Sequence, residues 1–183
     1  MARAPAVQPD KLSPEHKRIY DKIAARLPHG GDVRGPFSVL VNTPALAEGA
    51  LGIYASLREA KLERRLIELM ILVVARFHTA QYVWFAHGTR ALEAGLPAAT
   101  VDAIRERHAP SLTREDEKTV YDVVTELLAT RKLAPASYAR AQSVLGVEQL
   151  VELIAGAGFY TMLALTINAF DVDVPGGARP LPD

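Results

Sequence analysis

Residues 62–96, LERRLIELMILVVARFHTAQYVWFAHGTRALEAGL, decide the fold. Apolar residues recur at helical spacing on both sides of a break near Thr79. The first segment, Leu62 to about Phe77, is apolar around most of its circumference and therefore belongs in a core. The second runs from about Gln81 to Ala94 and stops at Gly95-Leu96-Pro97. Two helices joined this closely are expected to pack antiparallel.

Outward from this hairpin the chain continues to read as helix. Ser13-Pro14-Glu15 starts one, with Ile19, Tyr20, Ile23 and Leu27 on its apolar face, and Pro28 to Asp32 ends it. Residues 29–43 are expected as a glycine-rich loop that carries Phe37, Val39 and Leu40. Thr43-Pro44 opens a helix to about Ala60. Further helices are expected over about 98–107, 113–131 with Thr113 as its cap, 135–144, and Val147 to Phe170. Gly156 and Gly158 in the last would allow another helix to approach closely. No strand alternation, solenoid repeat, phosphate-binding glycine loop or HExxH motif is present in the sequence. The expected fold class is all-α: one compact multi-helix domain over 13–173, a flexible arm over 1–12 and a flexible tail over 174–183.

The 183 residues are 49% apolar with a formal net charge of zero, so no global field draws the chain to nucleic acid or an anionic membrane. The apolar run Leu69–Ala75 is too short to span a bilayer, and residues 1–17 have no signal-like apolar stretch. A cytoplasmic location, with no nucleic-acid or membrane partner, is the expectation. With no cysteine, disulfides, thiolate nucleophiles and thiolate metal ligands are excluded.

Two residues of the hairpin stand out. Glu68 is a carboxylate in an apolar helix, which is costly to bury without a partner. It belongs either to a polar stripe with Arg64 and Arg65 or to a functional site. His87 sits in the aromatic run Tyr82-Val83-Trp84-Phe85-Ala86-His87 and is either a hydrogen-bonded core residue or a catalyst. The hairpin folds the two toward each other. A carboxylate there can orient the imidazole, raise its pKa and form a proton relay with it. A metal site of His78, His87 and Glu68 is disfavoured, because the histidines lack the i,i+4 spacing of helical metal sites; no metal or cofactor is expected. The charged runs Arg105–Arg107 and Arg114–Lys118 read as solvated helix faces.

At these residues the chain resembles the carboxymuconolactone decarboxylase and alkylhydroperoxidase-like family. Glu68 and His87 match both ends of that family's E-x11-C-x2-C-x3-H pattern, whose cysteine positions fall here on Ala80 and Val83. Tyr82-Val83-Trp84 through His87 is similar to the YEWxxH stretch of cysteine-free members, with valine for glutamate. Arg34-Gly35-Pro36-Phe37 with Thr43-Pro44-Ala45-Leu46, the Gly95-Leu96 helix end, and Leu150-Val151-Glu152-Leu153 through Gly158-Phe159-Tyr160 to Asn168-Ala169 are further likenesses, with Thr161 where asparagine is frequent.

The resemblance implies an alkylhydroperoxidase-like fold that assembles as a homo-oligomer, a trimer or hexamer. The long apolar C-terminal helix also argues for association. Thiol-based peroxidase chemistry has no nucleophile here. The expected function is a cofactor-free lyase or isomerase of carboxymuconolactone decarboxylase type, of the kind used in aromatic catabolism. It would act on a small, carboxylated, cyclic molecule through Glu68 and His87. The expected substrate-binding residues are Arg34 as a carboxylate fork, Tyr82 and Tyr160 as hydrogen-bond donors, and Phe37 and Trp84. The alternative is a non-catalytic oligomer that binds a small molecule.

Overall fold

The computed structural model describes residue 3, residues 7–26 and residues 33–182. Among them every regular element is helical: α1 (Pro14–Arg26), α2 (Pro36–Leu40), α3 (Pro44–Arg58), α4 (Arg64–Phe77), α5 (Gln81–Glu93), α6 (Ala98–Arg105), α7 (Glu115–Thr130) and α8 (Pro135–Ala169), with short 3-10 turns at Pro9–Lys11 and Pro175–Gly177. The all-α expectation is met.

α4 is the axis of the fold. It packs against α5, α7 and α8, and Leu66 through Arg76 are buried without interruption. A helix apolar on one stripe needs one partner; a helix apolar nearly all round needs several, and the chain supplies them. The buried Arg76 donates from Nε to the Arg105 carbonyl at 2.7 Å, which ties α4 to the end of α6.

The break at Thr79 is a left-handed helix end. Thr79 has φ 49°, and the Ala80 amide reaches back to the Ala75 carbonyl at 2.8 Å. A branched residue is uncommon there; its hydroxyl accepts from the Arg76 and Arg107 guanidinium groups. The turn sends α5 back along α4.

The structure amends several local expectations. The 29–43 segment is not wholly a loop: α2 lies within it, buries Phe37, Val39 and Leu40, and packs on α3 and α8. Leu27 and the helix stop from Pro28 to Asp32 lie outside the described residues. Thr113 does not cap α7; Arg114 occupies that position without a side-chain cap, and Glu115, Asp116 and Glu117 fill the first turn. The two expected C-terminal helices meet at Gly146, whose φ of 74° and ψ of 167° kink one long element. Gly156 is a close approach, where a Cβ would meet Met70 Cε at 2.6 Å; Gly158 is not, having nothing within 4 Å. α8 is long and apolar enough to cross a bilayer by length and composition, and half of its most apolar stretch is buried in the fold, as in a core helix.

Both ends return to the body of the protein. The Arg3 amide bonds the Phe170 carbonyl at 2.8 Å, while residues 1–2 and 4–6 lie outside the described residues. The stretch expected as a solvated tail docks: Leu181 is buried, and its amide and carbonyl pair with the Gln81 side chain at 2.9 Å each. An apolar side chain near the end found a groove that local sequence could not announce.

The run Arg114–Lys118 is also more than a solvated face. Arg65, almost buried, bonds Glu117, itself buried, and donates to Asp116 at 2.8 Å. Burial pushes the Asp116 carboxyl up, but hydrogen bonds from Arg114 and Arg65 outweigh it and hold it down at about 2.

Candidate functional site

Glu68 is fully buried on α4 and faces α5. One carboxylate oxygen accepts from Arg64 one helical turn earlier; the other lies 2.8 Å from Nδ1 of His87. Both readings of Glu68 are therefore realised in one residue: it pairs along its own helix and across the hairpin. With a guanidinium on one oxygen, the carboxylate accepts at the other, so the imidazole proton sits on Nδ1. The ring of His87 also lines a cavity.

The direction of the His87 shift corrects the expectation drawn from the pair alone. Burial pushes the imidazole below its ordinary 6.5; the Glu68 hydrogen bond and charge pull it back only in part, and Arg90 and Arg64 push it further down. The resting imidazole at neutral pH is uncharged, with a lone pair at Nε2. Such a group begins as a base, and the carboxylate stabilises the imidazolium once a proton has been taken.

The cavity holds about 70 Å³. α2 and its leading loop supply Arg34, Pro36 and Phe37; α5 supplies Tyr82, Val83, Ala86, His87 and Arg90; α3 supplies Tyr54; α8 supplies Tyr160 and Leu163. Tyr160 stands edge-on to the His87 ring at 5.3 Å and 88°. Burial, then the Glu68 charge, pushes its hydroxyl well above the ordinary tyrosine value, so it is a donor and not a phenolate. Gly35, at φ 61°, lets the loop lie against Tyr82, whose Cε1 would sit 2.4 Å from a Cβ at that position.

Of the residues named from sequence, the structure gathers Arg34, Phe37, Tyr82, His87 and Tyr160 around this cavity, with Glu68 directly behind His87. Trp84 is not among them. It lines a separate surface cleft with Phe85, Gly88 and Leu92, because it lies about 100° round the helix from Val83, which faces the cavity. Arg90 and Tyr54 were missed. Arg90 had a signal, since it follows His87 by three residues and shares its face; Tyr54 had none. Among the described residues no group of three or more histidine, cysteine, aspartate or glutamate side chains could hold a metal ion. Ala80 and Val83 are both buried and apolar.

No protein-family model matches the chain, and no curated protein matches it. Solved structures do. The alkylhydroperoxidase AhpD core of an uncharacterized peroxidase-related protein from Ralstonia eutropha JMP134 superposes with a TM-score of 0.77 at 13% identity, over 100% of this chain and 98% of that one. An uncharacterized peroxidase-related protein from Silicibacter sp. TM1040 gives 0.74 at 16%, over 98% and 95%. A protein of unknown function from Agrobacterium tumefaciens gives 0.67 at 15%, over 78% and 99%. At such identities the likeness concerns architecture, and the architecture is plain: this chain is a cysteine-free protein of the alkylhydroperoxidase-like fold.

Proposed function

We propose that the protein is a cofactor-free lyase or isomerase acting on a small carboxylated molecule, with His87 as the proton-transfer group and Glu68 as its partner. The observation that carries this reading is the buried 2.8 Å contact between Glu68 and Nδ1 of His87, beside a cavity that His87 lines. The uncharged imidazole takes a proton from an acidified C–H or O–H of the substrate at Nε2. Negative charge then develops on a conjugated carbonyl oxygen, which a hydrogen bond from the Tyr160 hydroxyl would stabilise. The imidazolium returns the proton to another carbon in an isomerisation. In a decarboxylation the proton taken is that of the substrate's carboxylic acid, the electron pair of the breaking C–C bond enters the conjugated carbonyl, CO₂ leaves, and the imidazolium protonates the resulting carbanion. Thiol-dependent peroxide reduction is not part of the reading, because the chain has no sulfur nucleophile.

A homo-oligomer is part of the proposal. Val147, Val151, Ile154 and Leu165 are exposed on α8, and Gly158 adds an open position between them. Their spacing of four, three, four and seven makes one apolar seam suited to another helix.

A non-catalytic binding role is the second reading. It is favoured by Glu68 having both oxygens satisfied within the protein, as a purely structural carboxylate would. The deciding experiment is turnover of a panel of small cyclic acids, run in D₂O, by wild type, His87→Ala and Glu68→Gln. Deuterium incorporation at carbon by wild type, lost in His87→Ala, supports the enzyme. Binding without turnover or exchange supports the second reading.

A further inference from the structure

The His87 cavity is too small for a whole substrate. A cavity that accepts benzene measures about 150 Å³, against about 70 Å³ here. A substrate with a ring or a second functional group must extend out of it. Tyr54 and Arg90 form part of the wall, and the same two residues line an adjoining cleft of about 380 Å³ whose other lining residues are Arg58 and Arg64.

That cleft is built from three guanidinium groups on three helices: Arg58 at the end of α3, Arg64 at the start of α4 and Arg90 near the end of α5. No acidic side chain lines it. Other arginines are drawn into ion pairs, as Arg65 is to Glu63, Asp116 and Glu117, and Arg140 to Glu115 and Asp122. Arg58 and Arg90 make no ion pair among the described residues, and Arg64 is matched only by the buried Glu68. Three cations against one carboxylate leave a local excess of two positive charges. Like charges converging on one cleft repel unless an anion joins them.

We propose that this cleft binds a dianionic oxyanion group of the substrate, a phosphate monoester or a paired dicarboxylate, while the uncharged reacting end enters the His87 cavity. The fork of each guanidinium suits oxyanion geometry, and Tyr54 at the boundary supplies an aromatic wall for the connecting atoms. Arg64 links the two compartments. It touches Glu68, which touches His87, so an anion in the cleft draws on the guanidinium that otherwise faces the catalytic pair. Substrate charge would thereby make His87 more basic as the substrate arrives.

The placement of the reacting end rests on the proposed function; the anion site itself does not. The test is isothermal titration of the wild-type protein with inorganic phosphate, malonate and acetate at constant ionic strength. The same titrations are run on Arg58→Gln, Arg90→Gln, Arg140→Gln and His87→Ala, each checked for helical content. Phosphate or malonate should bind at least about tenfold tighter than acetate. Arg58→Gln and Arg90→Gln should each weaken that binding about tenfold, while Arg140→Gln should leave it unchanged and His87→Ala should retain it, shifted only by the coupling through Glu68 and Arg64. Preference for phosphate or for malonate identifies which dianion the cleft takes. Absence of dianion binding, or equal weakening by Arg140→Gln, overturns the proposal. Retained anion binding without any turnover would count against the enzymatic reading alone.

Discussion

Glu68 divides its carboxylate between Arg64 and His87, one oxygen to each. A fully buried carboxylate is tolerable only when it is matched, and here the match also fixes the imidazole tautomer. The chemical consequence is a neutral ring whose reactive nitrogen is chosen by its neighbour.

That arrangement makes stability pH-dependent in a definite sense. The folded His87 pKa lies below 6.5, near which the unfolded residue titrates. Between the two values the unfolded chain binds more protons, so stability rises with pH. The contribution is complete above about 6.5 and is lost as pH falls through the lowered value. His78, also lowered by burial, adds a term of the same sign. Chemical denaturation at a series of pH values should show wild type losing stability below about 6.5 more steeply than His87→Gln. Parallel profiles would contradict the shift.

The Arg65 and Glu117 pair ties α4 to α7 in a nearly buried setting. Glu117→Gln leaves a guanidinium short of its charge partner, with Asp116 compensating in part. Urea unfolding should show a loss of roughly 2–3 kcal/mol, toward the low end for a broken buried pair. A loss under about 0.5 kcal/mol would mean the pair behaves as a surface one.

Gly35 combines a positive φ with the Tyr82 ring against its α-carbon. Gly35→Ala should lower stability by roughly 1–3 kcal/mol from backbone strain alone. It should also displace Tyr82 and so reduce kcat/KM on whatever substrate the panel identifies. Unchanged melting and unchanged kinetics together would show that the loop moves aside freely.

The exposed seam of α8 predicts association. Light scattering should report an oligomer for wild type, and Ile154→Asp should shift it toward monomer with helical content retained. A monomeric wild type at micromolar concentration would remove the seam from the account.

The hairpin was legible because the pattern is local. An apolar run, a single carboxylate inside it and a histidine 19 residues on are enough to bring Glu68 and His87 together once the connection is short. Arg90 was legible in principle from its spacing to His87. Tyr54, the docking of Leu181 on Gln81 and the reach of Arg65 to Glu117 were not, since each joins segments far apart in sequence. The direction of the His87 shift was also out of reach, because it weighs burial and two arginines against one carboxylate, and only the fold sets those weights. Trp84 lies away from the cavity, because a likeness in sequence does not say which way a side chain turns.

The most direct test of the buried pair is nitrogen NMR of His87 across a pH series, with Glu68→Gln alongside. The expected result is an uncharged ring at pH 7 that carries its proton on Nδ1 and titrates below 6.5. A ring protonated at pH 7, or a proton on Nε2, would contradict it.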